Sequence, residues 1–289
     1  MKERMILVSS CVLMLVLTGC GGGGVGGLRV IGSQAIEELP EAPEAIMAAA
    51  PDGAVMLASD ETIYRIDPKK RTVETIFEGD ANTAISAMTV AEDGLLYVAD
   101  GGRLRLFAGG HLHDLLESNS DSAGRWSLSG WGEAQLYVAE SRPGRSTLFS
   151  YETRGKNTFG MAETEQPIRA ISAVRGGCLV ATENTIYKVF DRSDDVSADV
   201  LCLMVCSIAP GDREIRSMAA DEKSRAVYYS TEDGTWAYVD GQIVPLLPVG
   251  GVLAFARNTL NVWDGVNRQL LQLGNPARRA RAAVKAVYQ

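Results

Sequence analysis

Six acidic side chains recur along this sequence in a similar local context. Each follows a short, mostly apolar segment, and the intervals between them are 40, 40, 43, 49 and 32 residues. The six residues are Asp60, Asp100, Glu140, Glu183, Glu232 and Asp264. On a shared surface, their oxygens would attract a cation, a basic segment or a positively charged partner. As separate residues they would be solvated turn formers, a role that Asp fills better than Glu.

Histidines are scarce. His111 and His113 are separated by one residue on a predicted strand, so their side chains share one face, whereas the neighbouring Asp114 points to the other. We therefore expect a surface pair rather than a metal site. A Ser-His-Asp relay is disfavoured because both histidines lie in one hairpin.

The glycine run over residues 21–27 is not a phosphate-binding loop, because no strand precedes it.

Three cysteines, Cys178, Cys202 and Cys206, lie beyond the N-terminal region. On one straight strand, residues 202 and 206 would be about 13 Å apart at about 3.3 Å per residue. That separation exceeds the limit of about 7 Å between the Cα atoms of a disulfide. The sequence is therefore compatible with buried free thiols or with one disulfide that uses Cys178 or a bend.

The acidic residues belong to a repeat of short strands. In each copy, a second strand such as Leu96–Asp100 is followed by a third strand and, in most copies, by a fourth. Asp-Gly pairs at 52–53, 93–94, 233–234 and 240–241 are typical of hairpin turns. Units of about 40 residues with four strands indicate propeller blades. The blades are predicted to begin near Ile46, Ile85, Trp126, Ile168, Ile215 and Val252.

The repeat predicts an all-β fold, a six-bladed β-propeller of four-stranded blades. The last unit has only three clear strands, over residues 252–256, 259–263 and 269–273. A missing fourth strand would leave an open sheet edge. We therefore expect the apolar segment Leu28–Ile31 to close the ring from the N-terminus.

The segments Leu96–Asp100 and Ile63–Asp67 resemble the strand phrases of NHL and gluconolactonase-like six-bladed propellers, and the resemblance covers nearly the whole predicted mature chain. It implies the propeller fold. Gluconolactonase-like enzymes also hold a divalent cation in the central channel with Glu, Asp and Asn side chains. The innermost strands predicted here are almost devoid of these residue types, and Asn119 and Asn184 alone do not make a site. We therefore expect no metal site, and calcium is not supported.

The N-terminus is predicted to be a signal peptide. Two basic residues precede an apolar run over residues 6–17, which is too short to span a bilayer. The run ends in Leu-Thr-Gly-Cys at residues 17–20, which resembles the lipobox of bacterial lipoproteins. The resemblance implies cleavage before Cys20, a lipid thioether on its sulfur and fatty acylation, such as palmitate, of its amine.

A flexible tether is predicted after the lipidated cysteine, because the glycines over residues 21–27 have nothing to bury. In lipoproteins of bacteria with two membranes, Asp directly after the cysteine marks retention at the inner membrane. Gly21 occupies that position here. The resemblance therefore implies the outer membrane, facing the periplasm, where the host has two membranes.

The C-terminus is basic within a chain whose net charge is −8. Residues 277–289 carry no acid and four basic residues, Arg278, Arg279, Arg281 and Lys285. Written as a helix, Ala280, Val284, Val287 and Tyr288 share one face. The segment is predicted to be a short helix packed on the body, a basic tail for an acidic partner or lipid headgroups, or a segment without fixed structure.

These observations predict four regions: a signal peptide over 1–19, the lipidated Cys20 with its tether to 27, the propeller over 28–276 and the basic tail over 277–289. The predicted function is that of a cell-envelope lipoprotein whose propeller is a non-catalytic binding platform. Its partners would be the membrane, through the lipid, and a protein or other envelope component. The acidic chain excludes nucleic acid as a partner, and no cofactor besides the lipid is expected.

Two alternatives stay open. One is a divalent-cation-dependent lactonase or hydrolase of the gluconolactonase-like group. The other is a sensor of small ligands that uses loops over residues 118–125 and 142–145, whose arginines would meet anions.

Overall fold

The chain folds almost entirely into short antiparallel strands. The computed structural model describes residues 32–36, 39, 44–80, 85–117, 124–191, 202–207 and 214–287. These residues form six sheets of four strands each. The predicted six-bladed β-propeller is thereby confirmed. The signal peptide, Cys20 and the tether lie outside the described residues.

Blade 6 contains β1 (Gly32–Ala35), the first strand among the described residues, and every other blade is built from four consecutive strands. Blade 1 contains β2 (Ile46–Ala49), β3 (Val55–Ser59), β4 (Thr62–Asp67) and β5 (Thr72–Glu78). Blade 2 contains β6 (Ile85–Val90), β7 (Leu96–Asp100), β8 (Arg103–Ala108) and β9 (His111–Glu117). Blade 3 contains β10 (Arg125–Trp131), β11 (Gln135–Arg142), β12 (Arg145–Glu152) and β13 (Asn157–Thr164).

The second half of the ring has the same organisation. Blade 4 contains β14 (Ala170–Val174), β15 (Gly177–Ala181), β16 (Thr185–Phe190) and β17 (Cys202–Ser207). Blade 5 contains β18 (Ser217–Asp221), β19 (Ala226–Ser230), β20 (Thr235–Val239) and β21 (Gln242–Leu247). Blade 6 contains β22 (Val252–Ala256), β23 (Thr259–Asp264), β24 (Gln269–Gly274) and β1.

The core lies between the blades. The first strand of each blade contacts the first strands of both neighbours, and β22 contacts β2, which closes the ring. A cluster of buried apolar side chains fills each interface between adjacent blades. The second strands β3, β7, β15 and β19 are buried at every residue. Their apolar sequences follow from this position, because both faces of such a strand are covered by neighbouring blades.

Ring closure uses an N-terminal strand, as predicted. The outermost strand of blade 6 is β1 (Gly32–Ala35), which pairs with β24 from Gly32 opposite Gln272 to Ala35 opposite Gln269. The expected segment, Leu28–Ile31, lies outside the described residues. An outermost strand is only partly covered, so its sequence can be as polar as that of β1. The apolar contribution comes instead from Ile36 and Leu39, which are buried in the core between blades 6 and 1.

The basic C-terminal segment forms one helix, α1 (Pro276–Val287), which packs against β20 and β21 of blade 5. Ala277 and Ala280 are buried in the core between blades 5 and 6, and Val284 packs against it. Arg281 donates from Nε to Asp240 at 2.8 Å and from Nη2 to the Ser224 carbonyl at 2.5 Å. The expectation of a short packed helix is confirmed, whereas Arg278 and Lys285 are exposed.

Candidate functional site

All six predicted carboxylates lie on one rim of the ring. In a four-stranded blade, the loop from the second strand to the third opens on the rim from which the chain enters the innermost strand. Five of the acids lie in one of these loops or at the end of the strand before it, and Glu140 lies two residues before the end of β11. Each acid belongs to a different blade. We call this set the acidic rim: Asp60, Asp100, Glu140, Glu183, Glu232 and Asp264.

Asp100 is a buried member of the acidic rim, with only 4% of its surface exposed. Arg105 donates from Nη1 to its Oδ2 at 2.8 Å, and the Nε of the same arginine lies 2.7 Å from Asp114 Oδ1. Burial raises the pKa of Asp100 above its ordinary value, and the Arg105 guanidinium opposes this effect. The Asp100 carboxylate therefore forms a buried ion pair with Arg105.

The raised pKa of Asp100 has a measurable consequence. The protonated carboxyl of Asp100 is favoured more in the folded chain than in the unfolded chain. Protonated Asp100 therefore stabilises the fold at low pH, and this stabilisation is lost as the pH rises from 3.8 through the folded-state pKa. We expect the free energy of unfolding of Asp100→Asn to improve relative to the wild type as the pH rises from about 3 to about 6. Urea unfolding across this range measures the difference.

Asp67→Asn is the matched control for the pH experiment. Backbone N–H donors of Lys70 and Lys69 lower the pKa of Asp67. Its ionised form therefore stabilises the fold above the ordinary value of 3.8, and this stabilisation is lost as the pH falls through the folded-state pKa. The Asp67→Asn variant should consequently lose stability relative to the wild type as the pH rises. If the free energies of unfolding of both variants, relative to the wild type, changed in the same direction with pH, the raised pKa of Asp100 would be contradicted.

Asp264 is the other buried acid of the rim, and it organises a turn. Its Oδ1 accepts the backbone N–H of Asn267 at 3.1 Å, and its Oδ2 accepts Asn267 Nδ2 at 2.7 Å. A similar five-residue pattern, Asp-x-x-x-Arg, begins at Asp67 and Asp221, and the Arg ends it with a positive φ each time. Asp264 is thus a turn former, which is one of the two roles that the sequence allowed for the six acids.

The exposed or partly exposed acids of the rim are mostly paired with arginine. The pairs are Glu140 with Arg142 at 2.7 Å, Glu183 with Arg169 at 3.9 Å and Glu232 with Arg216 at 3.4 Å. Asp60 is exposed and has a φ of 53°, a conformation that Asp tolerates better than most residues. The rim therefore carries arginines beside three of its carboxylates, which lowers the net negative charge of the cation-attracting surface that was one of the two sequence interpretations.

The arginines of the rim occupy defined places. Arg169 directly precedes β14 and Arg216 directly precedes β18, the innermost strands of blades 4 and 5. Arg169 also pairs with Glu214 at 3.1 Å, so it bridges two carboxylates from different segments. The positive charges of the expected anion-binding loop at 142–145 are likewise neutralised by nearby carboxylates. Arg142 pairs with Glu140, and Arg145 pairs with Glu163 at 2.7 Å. The expected loop at 118–125 lies largely outside the described residues.

The channel wall is built with hydroxyl groups that join neighbouring blades. On the innermost strands of blades 2 to 5, one Ser or Thr accepts a backbone N–H from the innermost strand of the next blade. These bonds run from Gly130 to Thr89 Oγ1 at 3.1 Å, Ala173 to Ser129 Oγ at 2.8 Å, Ala220 to Ser172 Oγ at 3.1 Å and Leu253 to Ser217 Oγ at 2.9 Å. Each contributes about 1 kcal/mol to stability.

This hydroxyl pattern was not foreseen from the sequence. The available signal was a Ser or Thr on each of four predicted innermost strands, but the hydrogen bonds join residues about 40 positions apart. Only the ring geometry places them in contact.

The remaining candidate residues are dispersed. His111 and His113 are exposed on the outermost strand β9, and Asp114 is held by Arg105. Cys178 and Cys206 are buried free thiols, and burial raises the pKa of Cys206 to about 11. Nothing is described of the Cys202 side chain. Among the described residues, no three His, Cys, Asp or Glu side chains form a group that would hold a metal ion.

Comparison with known proteins supports the fold. No protein-family model and no curated protein sequence matches this chain. A gluconolactonase from Xanthomonas campestris superposes with a TM-score of 0.61 at 13% identity, over 86% of this chain and 87% of that one. An auxiliary nutrient-binding protein from Bacteroides thetaiotaomicron has a TM-score of 0.60 at 9% identity, over 81% and 69% of the two chains. In fold, the chain is a propeller of this kind.

A third similar structure is virginiamycin B lyase from Staphylococcus aureus, with a TM-score of 0.56 at 11% identity over 80% of both chains. At these identities the likeness concerns the fold alone. The divalent cation that the gluconolactonase resemblance implies requires oxygen ligands in the channel. Four hydroxyls of the innermost strands already accept inter-blade hydrogen bonds, and the described residues contain no group of three His, Cys, Asp or Glu side chains, so this donor set does not fit such an ion.

No helix among the described residues is both long enough and apolar enough to cross a membrane.

Proposed function

We propose that this chain is a lipid-anchored protein of the cell envelope whose propeller is a non-catalytic binding platform for a protein or another envelope component. The observation that carries the proposal is the ion-paired rim, in which exposed and partly exposed arginines from several blades pair with carboxylates. Pairs of this kind contribute little to stability, about 0 to 1 kcal/mol each. They are well suited to polar recognition, where complementary charges set specificity and association rate.

The membrane link of the proposal depends on Cys20. The Leu-Thr-Gly-Cys sequence at residues 17–20 resembles a lipobox, and Gly21 favours the outer membrane, facing the periplasm, in a two-membrane host. The similar structures include a nutrient-binding protein and the extracellular domain of a one-component system. A binding protein and an extracellular domain are therefore represented among propellers of this shape.

Removal of the rim arginines tests the platform. We expect the double variant Arg169→Ala/Arg216→Ala to keep its stability within about 1 kcal/mol, because its ion pairs are on the surface. Its association rate with the partner recovered by cross-linking in intact envelopes should fall several-fold. Surface plasmon resonance measures the rate, and thermal unfolding checks the fold.

Arg154→Ala is the matched control for the rim variant. Arg154 forms an ion pair of the same kind, with Glu133 at 2.8 Å, but in loops that open on the opposite rim. An equal loss of association in both variants would contradict recognition through the acidic rim, and an unchanged rate in the double variant would do the same.

The second candidate is a cation-dependent lactonase, which the structural similarity to a gluconolactonase supports and the donor set of the channel opposes. This activity requires a bound divalent cation and turnover of a lactone. Elemental analysis of the purified protein, together with a lactone hydrolysis assay with and without chelator, discriminates it from the binding platform.

A further inference from the structure

A separate depression lies on blade 3, at the rim opposite the acidic rim. Its volume is about 440 Å³, and it is lined by Trp131, Ala134, Gln135, Ser150, Glu152 and Phe159. Small-molecule sites have volumes of about 300 to 1,000 Å³. We call it the blade 3 site. It lies on the sheet face toward blade 4, since Trp131 packs against the core between these two blades.

The strand register arranges the polar and aromatic groups of the blade 3 site. Trp131 lies opposite Gln135, and Gln135 lies opposite Glu152, so the three residues form one row across β10, β11 and β12. Neighbouring strands are about 4.8 Å apart, which places Trp131 and Glu152 about 10 Å apart along the row. Phe159 lies opposite Ser150 and is therefore a diagonal neighbour of Glu152. Glu152 thus shares one sheet face with both aromatic side chains, with Phe159 on the adjacent strand and Gln135 between Glu152 and Trp131.

The charge of the blade 3 site is negative. Its lining contains one carboxylate and no basic residue. Glu152 accepts a hydrogen bond from Asn157 Nδ2 at 3.1 Å, and no cationic group of the described residues forms an ion pair with it. The nearby Arg154 pairs with Glu133 instead. Phe159 leaves 57% of its surface exposed beside this carboxylate.

We propose that the blade 3 site binds a small organic cation, in which an ammonium group sits against the Glu152 carboxylate and the Phe159 ring, while the Trp131 ring lines the far side of the same depression. A cation is attracted by the faces of aromatic rings and by the carboxylate. An anion is repelled by Glu152, and an apolar ligand would remove water from that carboxylate without replacing its interactions. Gln135 and Ser150 supply hydrogen-bonding groups for a polar substituent of the ligand.

Choline and its uncharged isostere 3,3-dimethylbutan-1-ol test the proposal directly. The two probes have nearly the same shape and differ in the positive charge. We expect saturable binding of choline to the full-length protein in ligand-observed NMR titrations, with the isostere at least about tenfold weaker. Equal affinity for both probes, or no saturable binding of choline, would overturn the proposal.

Three variants locate the binding. Glu152→Gln and Phe159→Leu should each weaken choline binding about tenfold while leaving the fold intact, because both side chains are exposed. Glu163→Gln, on the same strand as Phe159 but paired with Arg145, is the control and should bind choline like the wild type. Unchanged affinity in Glu152→Gln, or an equal loss in Glu163→Gln, would refute the assignment. The result is independent of the acidic rim, which lies at the other end of the blades.

Discussion

Replacement of Cys20 with alanine is expected to release the protein from the membrane. In the proposed lipoprotein, the sulfur and the new amine of Cys20 carry two or three acyl chains, and each buried methylene contributes about 0.8 kcal/mol to membrane binding. Without the cysteine there is no acceptor for the lipid. Fractionation should therefore move the protein from the membrane pellet to the soluble fraction, and labelling with palmitate should be lost.

Cys11→Ala is the matched control for the anchor experiment, because Cys11 lies within the predicted signal peptide and is removed with it. This variant should be labelled and sedimented like the wild type. Continued membrane association of Cys20→Ala would contradict lipid anchoring. Loss of labelling in both variants would indicate a defect in export.

Removal of the closing strand is expected to lower the melting temperature by at least about 10 °C. A chain that begins at residue 40 lacks β1, which covers β24, and lacks Ile36 and Leu39, which are buried in the core between blades 6 and 1. Loss of a buried Leu or Ile side chain costs about 2 to 5 kcal/mol. The shorter chain also exposes a sheet edge where the ring was closed.

A chain that begins at residue 28 is the reference for this truncation, because it lacks the anchor and tether but keeps β1. Thermal unfolding of the two soluble proteins by circular dichroism measures the difference. Equal melting temperatures would show that the ring is stable without its N-terminal strand. A melting temperature of the reference well below that of a chain beginning at residue 21 would place part of the closure in the glycine-rich segment.

The strand repeat predicted the architecture because most residues of each second strand are buried. A strand such as Leu96–Asp100 is covered on both faces, so its apolar sequence is distinctive and recurs in each blade. Outermost strands are weakly constrained by comparison. For this reason the sequence does not mark the polar β1, which pairs with β24 in the outermost place of blade 6.

The sequence predicted where the six acids of the rim lie, but it did not predict which arginines pair with them. The place of each acid follows from strand order, which the sequence reveals. The pairing of Arg169 with Glu183 and Glu214 depends on side chains from separate segments, and no local pattern marks it. The turn that Asp264 organises was, in contrast, readable locally, since Asp67 and Asp221 begin the same five-residue pattern.

The amino-acid sequence by itself determined the number of blades, the order of their strands and the rim on which the six acids lie, because these features follow from local apolar periodicity and turn residues. The tertiary structure alone decided which strand closes the ring, which arginines neutralise the acidic rim and how the channel hydroxyls are used. It also placed Glu152 on one sheet face with Trp131 and Phe159. All of these depend on contacts between distant residues, which form only when the blades pack against one another.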